Sequence, residues 1–222
     1  MDIIDIEMKE IAIFGAGGLG REIACLIHRI NRETGDKWLI KGFYDDGIEK
    51  GTKVSHFGEV LGGVEDLNLI TTPLAVVIAI GNPKIVRLIV ERITNARIEF
   101  PNIICPNTYF SDPSTFLIGK GNIIQSDCKF SCDVTVGDFN VFNGSIVLGH
   151  DAKMGSFNTI MPAVRISGEV VIGDNNFFGI GSIVLQQLKI GSNVRLGAGS
   201  VLMKKPKDDC LYIGVPAKRI EI

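Results

Sequence analysis

Every sixth residue from Ile118 is large and apolar: Ile118, Ile124, Phe130, Val136, Phe142, Leu148, Met154, Ile160, Ile166, Ile172, Phe178, Val184, Ile190, Leu196 and Leu202. The register holds over all fifteen positions without a slip. Two places before the next apolar residue the side chain is compact or aliphatic, as at Asn122, Cys128, Val134, Asn140, Ile146, Ala152, Asn158, Val164, Val170, Asn176 and Ser182. Glycine often follows the apolar residue, as in Val136-Gly, Leu148-Gly, Met154-Gly and Ile172-Gly. A helix cannot keep this register, because about 3.6 residues per turn would carry the apolar face around the axis. A flat strand pattern would not need glycine at a fixed phase. The period is that of a β-solenoid, in which each short strand and turn forms one side of a triangular coil. Three hexads make one coil, so the pattern predicts about five coils.

Upstream the period changes. Glu10-Ile-Ala-Ile-Phe14 reads as a strand ending in Gly15-Ala-Gly-Gly-Leu-Gly20, and Ile23, Ala24, Ile27 and Ile30 then recur at helical spacing. Trp38 to Tyr44 reads as a second strand ending in Asp45-Asp46-Gly47. Leu74 to Ile80 is continuously apolar and predicts a strand buried on both faces. Pro83, followed by Ile85, Val86, Leu88, Ile89 and Ile93, opens another amphipathic helix. Strand, glycine turn, helix, strand is the order of a small Rossmann-like α/β unit. Pro101, Pro106 and Pro113 punctuate the change of period, giving an α/β domain over residues 1–105 and a solenoid with a C-terminal tail over 106–222. The six-residue side with one inward residue resembles, in particular, the left-handed parallel β-helix.

The glycine-rich turn fits GxGxxG, with Asp45 about 25 residues on, so an NAD-binding oxidoreductase is one reading. The α/β part, however, is about half of a full dinucleotide-binding sheet and carries nothing like a hydride-transfer site. The glycines fit better a turn that approaches a phosphate or carboxylate of a substrate.

Charge narrows the choice. The formal net charge of −2 provides no basic field for nucleic acid. Beyond residue 185, Lys189, Arg195, Lys204, Lys205, Lys207, Lys218 and Arg219 outnumber Asp208, Asp209 and Glu221, a cationic end suited to a small polyanion. The acidic MDIIDIEMKE start lacks the features of a signal peptide, and no apolar run is long enough to insert in a membrane. Five cysteines without framework spacing fit a reducing, cytoplasmic setting, and Cys128 and Cys132 turn to different faces, so neither reads as a metal ligand. A zinc hydratase on such a solenoid needs three converging histidines, and residues 101–222 hold one. No metal is expected.

That histidine is His150. It follows Leu148-Gly149 and so projects from the coil wall, with Asp151 directly after it. A neutral imidazole can take a proton from a hydroxyl or amine nucleophile, and a neighbouring carboxylate can orient it. His28, on the first helix, and His56, in a polar loop, read as solvated. A non-catalytic solenoid binding module is the alternative, and it leaves His150-Asp151 and the cationic tail unexplained.

The order of Gly15–Gly20, Phe43-Tyr-Asp-Asp46, Ala79-Ile-Gly-Asn82, the hexads with Asn143 and His150-Asp151, and the ending Tyr212-Ile-Gly-Val-Pro-Ala-Lys-Arg219 resembles the bacterial sugar acetyltransferases. These are the sialic-acid O-acetyltransferases and the nucleotide-amino-sugar N-acetyltransferases, and the resemblance covers nearly the whole chain. It implies transfer of acetyl from acetyl-CoA to a sugar during surface polysaccharide or glycan biosynthesis, by a homotrimer with the co-substrate between neighbouring β-helices. It also implies roles for single residues: His150 as general base and Asp151 holding it, Asn143 near the acceptor, Gly168 as a backbone donor to the thioester carbonyl, and Ile180 along the pantetheine arm. Lys218 and Arg219 would meet the nucleotide phosphates, and Gly15, Gly17, Gly18, Arg21, Asp45 and Asp46 the acceptor. The chain departs from the pattern at Leu19, where many members carry histidine, and Arg21 could there supply a cation for an anionic acceptor. Thr159 is a second variation, at a position often polar or histidine.

Overall fold

In a computed structural model, residues 8–35 and 38–221 are described, and most of the acidic N-terminal segment read against a signal peptide lies outside them. The chain divides into two compact units, residues 1–80 with 88–106, and residues 81–87 with 107–222.

The first unit is a parallel α/β sheet. Its strands are β1 (Lys9–Phe14), β2 (Trp38–Tyr44), β3 (Val60–Gly62), β4 (Leu74–Ile78) and β5 (Ile98–Glu99), in the order β3-β2-β1-β4-β5. The helices are α1 (Gly18–Glu33), α2 (Val64–Asn68) and α3 (Pro83–Arg92), the last beginning within the stretch grouped with the second unit. Ile23, Ala24 and Ile27 of α1 are buried, as the helical spacing requires. β4 is buried at Leu74, Val76, Val77 and Ile78, which explains its unbroken apolar run. The chain winds to one side of β1 through β2 and β3 and then to the other through β4. The carboxyl ends of β1 and β4 therefore form a topological switch point, where open α/β sheets bind ligands. Strands β3 and β5 and helix α2 were not legible in the sequence: each is five residues or shorter, too brief to show a period.

The second unit is the solenoid. One wall stacks Tyr109–Phe110, Lys129–Phe130, Val147–Leu148, Arg165–Ile166, Ile183–Val184 and Val201–Leu202. A second stacks Leu117–Ile118, Thr135–Val136, Lys153–Met154, Val171–Ile172 and Lys189–Ile190. Within this unit a third runs from Ile123–Ile124 through Val141–Phe142, Thr159–Ile160, Phe177–Phe178 and Arg195–Leu196 to Leu211–Ile213, where the antiparallel strand Lys218–Ile220 closes it. Every parallel pair from Leu117↔Thr135 to Ile183↔Val201 joins residues 18 apart. The first pair of the first wall, Tyr109↔Lys129, instead joins residues 20 apart. Two extra residues there, around the turn in which Asp112 accepts from Ser114, break the hexad upstream of Ile118, so the period missed the strand Tyr109–Phe110.

The inward residues of the hexad are buried from Ile124 to Leu202, and Ile118, on the first coil, is partly open. Two features account for the rest of the pattern. At the third position after the inward residue the backbone takes a positive φ: Asp127, Asp133, Phe139, Ser145, Asp151, Phe157, Ala163, Glu169 and Asn175 all lie between 52° and 64°. The glycines directly after the inward residue have no such φ. They answer to crowding between coils: a Cβ at Gly137 would lie 2.8 Å from backbone atoms of Gly155, and one at Gly149 would lie 2.4 Å from Gly168 N.

Inside one corner the fully buried Asn122, Asn140, Asn158 and Asn176 form a ladder. Each Oδ1 accepts from the backbone N–H one coil on, from Asn140 N to Asn122 (2.9 Å) up to Val194 N to Asn176 (2.8 Å). Within the ladder it also accepts from the next asparagine's Nδ2 at 2.9–3.0 Å. Each Nδ2 donates as well to the carbonyl of Gly137, Gly155, Gly173 or Gly191. Buried amides are tolerated because their donors and acceptors are used.

Candidate active site

The first wall carries the turn that holds His150 and Asp151. Val147–Leu148 points Leu148 inward, and Gly149-His150-Asp151 then turns the corner with Asp151 at φ 58°. Aspartate tolerates this region better than most residues. Its Oδ2 lies 2.7 Å from His150 Nδ1, and both side chains are about half exposed. An ionised carboxylate only accepts, so Nδ1 carries the proton and Nε2 keeps a lone pair in the neutral ring.

One coil on, Gly168 lies beneath that ring. A Cβ there would sit 2.5 Å from His150 Nε2 and 2.7 Å from Cε1. Its neighbours donate to the wall, Ser167 N to Val184 O and Glu169 N to His150 O, whereas the Gly168 N–H has no acceptor among the described residues. An imidazole with a free Nε2 and an unused backbone N–H thus share one spot on the surface. Together they can take a proton and stabilise a developing oxyanion.

At the other end of the Val147–Leu148 strand lies half-buried Asn143, whose Oδ1 accepts from Gln125 Nε2 at 2.9 Å and whose Nδ2 faces Met161 Sδ at 3.5 Å. The Arg165 guanidinium donates to Ser145 O in the same turn. Ile180 projects from this corner and is 53% exposed. Lys218 and Arg219 are exposed on the closing strand of the third wall, whereas His150 follows a strand of the first. Thr159 is buried in that wall. Gln125 and Arg165 escaped the sequence reading, because nothing in the hexad marks which outward residues reach along the stack.

In the first unit the four glycines of the β1–α1 turn divide into two kinds. Gly15 has φ +109° and a Cβ would lie 2.6 Å from Ala79 O; a Cβ at Gly20 would lie 1.9 Å from Gly15 O. The fold itself demands these two. Gly17 and Gly18 are exposed, Gly17 has φ −81°, and a Cβ at either meets nothing within 4 Å. Their bareness serves no internal contact, and it leaves the N-terminus of α1 open to an anion. Leu19 is half-buried and Arg21 exposed on the first turn of α1.

Asp45 Oδ2 accepts from Ala16 N and Oδ1 from Gly47 N, both at 2.9 Å, tying the end of β2 to the glycine turn. Asp46 Oδ1 accepts from Val64 N at the start of α2, and Oδ2 meets Arg92. Hydrogen bonding to Asp46 holds the Arg92 guanidinium above its ordinary range. The Gly63 N–H, with Lys50 assisting, holds the Asp66 carboxyl below its usual range. These groups line an open groove of about 460 Å³. His28 and His56 are exposed, with rings 5.6 and 4.0 Å from that of Phe57. All five cysteines are free, and among the described residues no helix is long and apolar enough to cross a membrane.

A parallel α/β unit followed by a hexapeptide solenoid with one His–Asp turn defines a hexapeptide-repeat transferase. The PglD N-terminal domain model matches residues 10–93, and the bacterial transferase hexapeptide (six repeats) model matches residues 169–204. The acetyltransferase domain of PglB from Neisseria gonorrhoeae is 29% identical, with 96% of this chain and 100% of that chain covered and a TM-score of 0.85. The same domain has been solved in complex with acetyl coenzyme A. WeeI from Acinetobacter baumannii is 23% identical, covering 96% of this chain and 100% of that one, with a TM-score of 0.83. A variant of perosamine N-acetyltransferase from Caulobacter crescentus, solved with CoA and GDP-perosamine, is 22% identical, covering 97% and 99%, with a TM-score of 0.86. The last two show likeness of fold. No curated protein sequence matches the chain. The chain belongs to the PglD-type family of hexapeptide-repeat sugar acetyltransferases.

Proposed function

We propose that the protein is an acetyl-CoA-dependent N-acetyltransferase whose acceptor is a nucleotide-linked amino sugar. The observation that carries this reading is the His150–Asp151 pair lying across Gly168, whose N–H is unused. The likeness to an acetyltransferase solved with acetyl-CoA, and in fold to one solved with GDP-perosamine, supports the choice of co-substrate and acceptor class.

In this mechanism His150 Nε2 takes the proton of the acceptor amine as its nitrogen attacks the thioester carbonyl. Asp151 stabilises the imidazolium that forms, and the Gly168 N–H donates to the oxyanion. Collapse breaks the C–S bond, and CoA leaves as the thiol on receiving the proton. Ile180 lies along the pantetheine arm, and Lys218 and Arg219 meet the nucleotide phosphates. Gly15, Gly17, Gly18, Arg21, Asp45 and Asp46 hold the nucleotide end of the acceptor, the bare glycines admitting its phosphates to the start of α1. Asn143 contacts the sugar. The active unit is a homotrimer: a convex solenoid wall cannot enclose a pantetheine arm alone, and neighbouring walls create a cleft. Exposed Ile180, Ile183, Leu185 and Met203 fit such packing.

The test is acetyl-CoA consumption with nucleotide-linked amino sugars, with sialic acids as the competing acceptors. His150→Ala should lower turnover by about 10²–10⁴-fold with folding intact, and Asp151→Asn by less. Near-normal turnover of the His150 variant would remove it from the mechanism.

A further inference from the structure

The side chain that follows the inward residue of the third wall recurs one coil on, so Gln125, Asn143 and Met161 form one column. Gln125 Nε2 lies 2.9 Å from Asn143 Oδ1, and Asn143 Nδ2 lies 3.5 Å from Met161 Sδ. The sulfur decides which way the asparagine amide faces. A thioether has no hydrogen to give, so only Nδ2 can usefully face it, which turns Oδ1 toward Gln125. Gln125 must then donate. The backbone of the turn is fixed too: Asn143 N donates to Ile160 O at 2.9 Å, and Arg165 ties down Ser145 O. One Nδ2 hydrogen is thereby committed to a weak acceptor, and the other has no acceptor among the described residues.

We propose that Gln125 is a positioning residue: by donating to Asn143 Oδ1 it fixes the amide so that Asn143 shows the acceptor an N–H rather than a carbonyl. The inference rests on the reading of Asn143 as an acceptor contact. An N–H pairs with a sugar oxygen and leaves the reacting amine free. A reversed amide would present its carbonyl and take an N–H of that amine instead.

Two substitutions separate orientation from packing. Gln125→Leu removes the donor and leaves the amide free to turn. Gln125→Glu keeps the shape, but a carboxylate can only accept, so it draws Nδ2 toward itself and reverses Asn143. Initial rates with the acceptor and acetyl-CoA varied independently should show acceptor kcat/KM falling about five- to tenfold for Gln125→Leu, the worth of one hydrogen bond. The fall should be larger for the nearly isosteric Gln125→Glu, with the KM for acetyl-CoA unchanged in both. Gln125→Leu added to Asn143→Ala should cost nothing further. A harmless Gln125→Glu, or losses that add in the double variant, would overturn the inference. If the leucine variant does not fold, the glutamate variant alone decides it. An Asn143→Ala enzyme with normal acceptor kinetics would remove the reading of Asn143 and the inference with it. An impaired Asn143→Ala beside normal Gln125 variants would overturn the inference alone.

Discussion

Replacing Gly168 by alanine places one methyl group against the His150 ring. The built Cβ lies 2.5, 2.7 and 2.9 Å from Nε2, Cε1 and Cδ2, where ordinary contact begins at 3.4 Å. The ring must therefore retreat by about 1 Å, and a displacement of that size in a reacting group costs on the order of 10²-fold in rate. Stability should hardly change. The imidazole is about half exposed and can swing outward, and Gly168 does not occupy the left-handed region. A surface change of this kind alters stability by roughly 0.5 kcal/mol or less. Alanine keeps the backbone N–H, so the substitution separates loss of the proposed base from loss of the proposed oxyanion donor. The assay is kcat at saturating acetyl-CoA and acceptor, with a thermal melt alongside. Gly168→Ala should lower kcat about a hundredfold and leave the melt in place. Combined with His150→Ala, it should add little. A Gly168→Ala enzyme with full kcat would show that the ring does not act from the position seen here, and the proposed chemistry at this turn would fail.

Two further outcomes are expected. Gly17→Ala and Gly18→Ala should leave the melting temperature unchanged or slightly higher while raising the acceptor KM, whereas Gly20→Ala should destabilise the first unit, since its Cβ would lie 1.9 Å from a carbonyl oxygen. Asn158→Leu should cost about 3–5 kcal/mol in urea unfolding, because it strips a fully buried acceptor from Asn176 N and Nδ2 and a donor from Asn140 and Gly173.

The solenoid was legible because its code needs one large apolar residue per hexad, and composition alone cannot imitate fifteen in register. The order of strands and helices in the α/β unit was legible wherever an element was long enough to show a period, as in β1, α1, β2, β4 and α3. The left-handed corners were hidden. Aspartate, phenylalanine, serine, alanine and glutamate all occupy them, so no residue type announces the conformation. The asparagines stood out in sequence only as compact residues, since their partners are 15 and 18 positions away. At the candidate site, His150 and Asp151 were visible as neighbours in the chain. That the ring crosses Gly168, and that Gln125 reaches Asn143, depends on the stacking of coils. Pattern alone says which residues point outward, without saying which of them meet.

The uniform 18-residue pairing makes the solenoid a structure that tolerates length change only in fixed quanta. Removing one whole coil above the His150 turn would shorten the stack and leave every remaining contact in phase. Removing a single hexad would turn all that follows by one wall, sending the residues after His150 to a different face and parting the imidazole from its glycine. Removing one residue would exchange inside for outside along the whole remainder. The two extra residues before Leu117 survive because they fall ahead of the regular stack, where pairings such as Tyr109↔Lys129 absorb them. Any lengthening or shortening compatible with the His150–Gly168 arrangement should therefore come as multiples of 18 between Thr135 and Leu202, or as loops confined to the corners.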